Sequence, residues 1–191
     1  MKFMKTYKIL MTLAFLINYQ IVAQELVLDT SLSKLKWTGT EITSKTHYGS
    51  LIFKSGTITM KNNKPVKGEF VVDMTTLKNE DVPEAYRGRL EGHLKSDDFF
   101  SVDKFPEAVL KINSSSFLNS EKYNLEGDLT VKGITHPISL SITTMKNKWI
   151  ANLTFDRSKY DVRFRSGTFF ENLGDKLIYD DIIIESELIF K

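Results

Sequence analysis

Hydrophobic and polar residues alternate with a period of two through most of this chain from Glu25 onward, the pattern of half-buried β-strands. The alternation is cleanest where Tyr123, Leu125, Gly127, Leu129 and Val131 share one face and Asn124, Glu126, Asp128, Thr130 and Lys132 the other, so one side of that strand meets water. After Gly133, Ile138, Leu140 and Ile142 answer it while Ser139, Ser141 and Thr143 point away, which predicts a hairpin with an antiparallel neighbour. Trp149, Ala151, Leu153 and Phe155 repeat the pattern. Upstream, Leu35 and Trp37, then Leu51 and Phe53, a Ser55-Gly56 kink, Ile58 and Met60 and an Asn62-Asn63 turn predict the first paired strands. Phe70, Val72 and Met74 alternate with Glu69, Val71 and Asp73, and Ala108, Leu110 and Ile112 continue the series. The last segment, Leu177 to Phe190, carries Ile182, Ile183 and Ile184 in succession, which predicts cover on both faces: the sheet interior on one, a helix or a second subunit on the other.

One segment breaks this rhythm. Tyr86, Leu90 and Leu94 recur at i, i+4 and i+8 with Arg87, Arg89, Glu91 and Lys95 between them, which predicts a helix lying on something apolar. Ser96-Asp97-Asp98-Phe99-Phe100 follows, then Phe105-Pro106, where the proline favours an extended exit into the next strand. About eight antiparallel strands with one apolar face each bury those faces by closing into a barrel, which also removes exposed edges; a two-sheet sandwich is the alternative. The expected fold is therefore all-β, an antiparallel β-barrel of about eight strands with a helical insertion. Thirteen Phe, seven Tyr and two Trp supply bulk, while Gly127 and Ala151 are small residues on inward faces, a mixture that lines a cavity or fills a core.

The first residues stand apart from the barrel. Lys2, Lys5 and Lys8 precede an apolar run from Ile9 to Ile17, and Ala23 follows a more polar stretch, the layout of a secretory signal peptide cut after Ala23. The run is interrupted at Asn18, Tyr19 and Gln20, short of the roughly 20 residues that span a bilayer. Residues 24–191 then form one domain, periplasmic or secreted. The formal charge of +2 belongs to the leader: residues 1–23 hold three of the 26 Lys and Arg and none of the 24 Asp and Glu. The remaining chain, near −1, has no electrostatic footprint for nucleic acid. With no cysteine, it has neither disulfides nor a thiolate nucleophile and relies on its core for stability.

Three stretches carry a family resemblance: GRLEGHLKSDDFFSVDKFP from Gly88 to Pro106, LEGDLTVKGITHP from Leu125 to Pro137, and FDRSKYDVRFRSG from Phe155 to Gly167. Together and in this order they resemble the YceI-like family over essentially all of the chain after the leader. That resemblance implies a lipocalin-like barrel that binds a long isoprenoid lipid or similar amphiphile in its lumen, without a cofactor; no catalysis is expected, and the expected contacts extend to a transient one with a membrane surface and to a second copy of the chain. The chain departs from the family pattern in the linker from Thr75 to Tyr86 and in Arg163-Phe164-Arg165, both of which bear on the mouth of such a barrel.

A lipid-carrying barrel needs an apolar tunnel and a polar mouth. The inward positions nominated for the tail are Leu51, Phe53, Phe70, Val72, Leu110, Leu129, Leu140, Ile142, Leu153 and Phe155, with Phe99 and Phe100 as gate residues. A filled core explains each of them singly just as well, because alternation predicts inwardness and not emptiness. For an anionic head the candidates are Arg157, Arg163 and Arg165 with Ser166 and Gly167; the commoner fate of such a run is pairing with Asp156, Asp161 and Glu171 on a solvated loop. His47, His93 and His136 are far apart and form no metal-ligand motif. His93, Ser96, Asp97 and Asp98 are close enough in sequence to suggest a lipid hydrolase or isomerase. Adjacent carboxylates cannot both face one centre on a regular strand, however, and no GxSxG elbow supports the idea.

Overall fold

The computed structural model describes residues 23–119, 121–146 and 148–191. The expected leader, up to residue 22, lies outside the described residues. Nine strands form one sheet: β1 (Gln24–Val27), β2 (Lys34–Glu41), β3 (Thr46–Lys61), β4 (Lys64–Asn79), β5 (Glu107–Asn119), β6 (Lys122–Val131), β7 (Ile134–Thr144), β8 (Lys148–Asp156) and β9 (Ile178–Ile189). The helix α1 (Glu84–Lys95) is inserted between β4 and β5.

Consecutive strands pair antiparallel from β2 to β9, and β9 returns to pair with β2, with Trp37 opposite Ile184. The sheet therefore closes. β1 joins the second half of β3 on the same side that β2 joins its first half, so the two are one stave interrupted at Asp29–Ser33. Eight staves make the barrel, and the sandwich alternative is set aside because no edge is left to separate two sheets.

Local chemistry explains the hairpins. Asn62 and Asn63, at φ 53° and 59°, are both left-handed, as the tight two-residue turn between β3 and β4 demands, and Asn tolerates that region better than most residues. Gly133, at φ 74°, turns β6 into β7, and a Cβ there would meet the Phe105 ring at 2.7 Å. Phe105 of the insertion thus seats on this turn. The inward faces read from the sequence are the buried ones: Tyr123, Leu125, Leu129 and Val131 on β6, Leu140 and Ile142 on β7, Trp149, Ala151, Leu153 and Phe155 on β8.

One expectation is narrowed and one is corrected. On β9 the inward series is Ile182, Ile184, Ser186 and Leu188, while Ile183 points outward and is 43% exposed. The helix does not cover it, because α1 lies against β4. The predicted helical stripe also fades along its length: Leu94 is buried, Leu90 half-buried and Tyr86 67% exposed. Only the C-terminal turn of α1 is docked in the core.

Candidate functional site

The barrel encloses a cavity of about 710 Å³. All ten tail positions inferred from alternation line it, as do Phe99 and Phe100. Trp37 and Trp149, which the sequence placed on inward faces without assigning to a ligand, line it too, so both tryptophans of the chain look into this space. The floor lies where β8 begins and β9 ends. Trp149 and Leu188 line it there, and Phe190 stacks edge-on against Trp149 at 4.9 Å between ring centres. Leu28, bridged to Phe190, is buried behind them.

The opposite end is the mouth. Lys45, Tyr86, Arg89 and Arg165 line the cavity while being exposed to solvent. They come from the β2–β3 turn, from α1 and from the loop before β9. Thr40, Glu41, His47 and Asp98 complete the polar lining here. Among the described residues no carboxylate lies within 4 Å of Lys45, Arg89 or Arg165. Alternation along strands had no means of finding Lys45 or Arg89, because one lies in a turn and the other on the helix face read as solvated.

Asn79 and Asp81 tie the helix to the barrel. Buried Asn79 donates from its side chain to Tyr48 O at 3.1 Å and accepts from Val82 N–H at 2.9 Å, while its own N–H donates to the Glu91 carboxylate of α1 at 2.8 Å. Asp81 accepts from Tyr48 N–H at 2.9 Å and meets His47 Nδ1 at 2.8 Å. Partial burial works to raise the Asp81 carboxyl, but Tyr48 N–H, His47 and Asn79 together hold it below its ordinary value. The helix itself begins weakly, with Pro83 at its N-cap and no side-chain cap.

The three arginines of the head-group hypothesis have three different fates. Arg157 is fully buried; it donates to Tyr179 O, Val162 O and Ile178 O at 3.1–3.3 Å, lies 3.2 Å from Asp180 and sits over the Phe99 ring at 5.2 Å. Burial pulls its guanidinium down from the ordinary value, against the pull of Asp180 and Asp156. Its donors are spent inside the protein, so Arg157 is a structural clamp and is withdrawn from the head-group set. Arg163 pairs with Asp161 and faces outward. Arg165 alone reaches the mouth. Its backbone is left-handed at φ 51°, a conformation held by Ile178 N–H donating to Arg165 O at 2.9 Å and by buried Ser166 donating to Asp180 at 2.8 Å.

Phe99 is a wall residue, clamped between Phe100, His93 and Arg157, with ring centres 4.9 Å and 6.0 Å away for the first two. The enzyme candidates do not converge. Ser96 Oγ donates to His93 O at 2.8 Å, and Asp97 points outward to Lys104 at 2.7 Å. That hydrogen bond keeps the Asp97 carboxyl below its usual range. His93 stacks edge-on against Phe164 at 4.3 Å, its Nε2 buried without a hydrogen-bond partner among the described residues. No three His, Asp or Glu among the described residues gather as a metal site.

A closed eight-stave antiparallel barrel with an apolar lumen, sealed at one end and roofed at the other by a short helix, defines the lipocalin-like class of small barrels. The YceI-like domain matches residues 26–190, and the chain belongs to the YceI-like family. A UPF0312 protein of Photorhabdus laumondii is 28% identical over 144 residues, 73% of this chain and 72% of that protein. The YceI protein of Escherichia coli O157:H7 is 30% identical over 93 residues, about half of each chain (49% and 46%). Among solved structures, Burkholderia cenocepacia BcnA superposes with a TM-score of 0.65 at 18% identity, covering 85% of this chain and 98% of BcnA. A polyisoprenoid binding domain from Saccharophagus degradans superposes with a TM-score of 0.57 at 12% identity, covering 90% and 99%. At these identities the two structures speak for the fold.

Proposed function

We propose that this chain is a non-enzymatic binding protein of the bacterial envelope that holds one long-chain isoprenoid lipid or similar amphiphile, tail in the barrel and polar head at the mouth. The observation that carries this reading is the apolar cavity, closed at the Trp149 floor and open between Lys45, Arg89 and Arg165. Its size supports an occupant. A volume of about 710 Å³ lies within the roughly 300–1,000 Å³ range of small-molecule pockets. Water is a poor filler, since below the mouth the lining is apolar apart from His93 and Ser186. An apolar chain of about 40 heavy atoms would bind with up to about −12 kcal/mol at the usual efficiency of large ligands. The head then needs to supply only orientation, and guanidinium and ammonium groups suit a phosphate or another anionic head. The polyisoprenoid-binding description of the Saccharophagus domain supports the isoprenoid as the first ligand to try.

Both tryptophans line the cavity, so their fluorescence reports occupancy directly. Titration with a prenylquinone is expected to quench it saturably at one ligand per chain. Leu129→Arg, which places a charge in the lumen, is expected to abolish saturable quenching, and Ala151→Phe, which narrows the lumen with apolar bulk, to weaken it while the far-ultraviolet circular dichroism of the second stays that of the parent. Unchanged quenching in a folded Ala151→Phe protein would contradict the proposal.

A further inference from the structure

We infer that a recess in the lumen wall above the Trp149 floor, made by the small side chains of Ala151 and Ser186, takes the far end of the tail and decides which chain lengths bind tightly; this rests on the lipid-binding reading above. The two residues are direct cross-strand partners, Ala151 on β8 opposite Ser186 on β9, and both line the cavity. They interrupt walls otherwise built of large residues. On β9 the inward positions on either side of Ser186 are Ile184 and Leu188, and on β8 those on either side of Ala151 are Leu153 and Trp149. Along the same rung, Leu35 on β2 stands opposite Ser186 and Ile142 on β7 opposite Ala151. Six large side chains thus frame one patch of thin wall.

The two tryptophans beside this patch do not close over it. Trp37 lies opposite Gly49 and reaches past it to donate its indole N–H to Lys78 O at 3.1 Å, which leans the ring towards β4 and away from β9. Trp149 stacks edge-on against Phe190 at the floor. A hydroxyl facing an apolar lumen also makes a poorer wall than an isobutyl group would, so Ser186 leaves the ligand-free barrel less stable and the lumen wider. The patch lies far from the mouth. Ile178 lines the cavity where β9 begins, and the eight residues from Ile178 to Ser186 span roughly 26 Å along the strand, or roughly 20 Å along the axis of a barrel of ordinary tilt. Only a tail of that length reaches the recess while its head is held at the mouth. Bulk in the recess therefore selects by length, whereas bulk near the mouth meets every tail. Ala108, which lines the cavity at the start of β5, supplies the second case.

The test compares farnesol, too short to reach the recess, with solanesol, long enough to fill it, each displacing a short-tailed prenylquinone that quenches the tryptophans. Ser186→Leu is expected to lower solanesol affinity by about tenfold or more and to leave farnesol affinity within about twofold of the parent's. Ala108→Leu is expected to weaken both alcohols alike. The urea midpoint of ligand-free Ser186→Leu should equal or exceed the parent's, because the leucine fills empty apolar space. Equal loss of both alcohols in Ser186→Leu, or loss of neither, overturns the length-selecting recess. A lowered midpoint does so too, since neighbours would then already occupy the space, as does a loss confined to solanesol in Ala108→Leu. Absence of saturable quenching in the parent overturns the lipid-binding reading and this inference together.

Discussion

Gly127 and Ala151 are both small and inward on neighbouring parts of the sheet, yet they are small for different reasons. Ala151 lines the cavity. Gly127 does not; a Cβ there would meet Lys111 O at 2.1 Å, beside the bulge where β5 slips against β6. The sequence shows smallness and facing, but not whether ligand space or a neighbouring backbone requires it. The arginines teach the same lesson, since Asp161 at φ 57° and Arg165 at φ 51° re-aim successive side chains in a run that has no period. Arg157→Ala is expected to cost about 3 kcal/mol in urea unfolding, because it removes the cation beside half-buried Asp180, which keeps its bonds from Ser166 and Thr168, and the donor to three backbone carbonyls. Per folded molecule, lipid binding should be unchanged, which separates a clamp from a head-group ligand. Arg165→Gly relieves a left-handed backbone and should leave stability within about 1 kcal/mol of the parent. Affinity for a prenyl phosphate should fall about tenfold, roughly 1.4 kcal/mol, with an uncharged prenyl alcohol unaffected.

At the scale of elements, the strands were legible because each has one face in the lumen and one in water, so periodicity writes their orientation into the chain. The helix was legible as a helix but not as a lid. Its stripe at positions 86, 90 and 94 suggested uniform docking, whereas its N-terminal half overhangs the mouth with Tyr86 in solvent. Gly88 and Gly92 sit where an added Cβ meets nothing within 4 Å. Gly88→Ala with Gly92→Ala should stabilise the helix by about 1 kcal/mol per site, slow amide exchange in α1 and slow lipid release measured by stopped-flow recovery of tryptophan fluorescence. Faster release from the double variant would show that α1 does not gate the mouth. The Asp81 anchor gives this element a pH dependence. Its carboxyl is held below the ordinary value, so the unfolded or detached form binds more protons. The stability it supplies is present above the ordinary carboxylate pKa, about 3.9, and is lost as pH falls through the depressed folded value. Acid titration followed by exchange in α1 should show the helix loosening there. In Asp81→Asn the helix should already be looser at neutral pH, without that acid step.

For the whole molecule, closure of the barrel follows from the supply of one-faced strands, while the cavity does not. Ile58, Ile112 and Leu125 are inward and almost fully buried, and a filled core would place them identically in sequence; the lumen exists because of strand number and tilt. The outer face carries Ile183 in solvent, and of the two covers expected from the three consecutive isoleucines the helix does not supply it. The central claim, that the lumen holds a lipid, is tested most directly by native mass spectrometry of the chain exported through its own leader, followed by organic extraction of the bound material. The account predicts a chain shortened by about 23 residues, carrying one isoprenoid or similar amphiphile per barrel, with the adduct diminished in Ala151→Phe. A bare polypeptide mass that stays bare after incubation with prenyl lipids would contradict it.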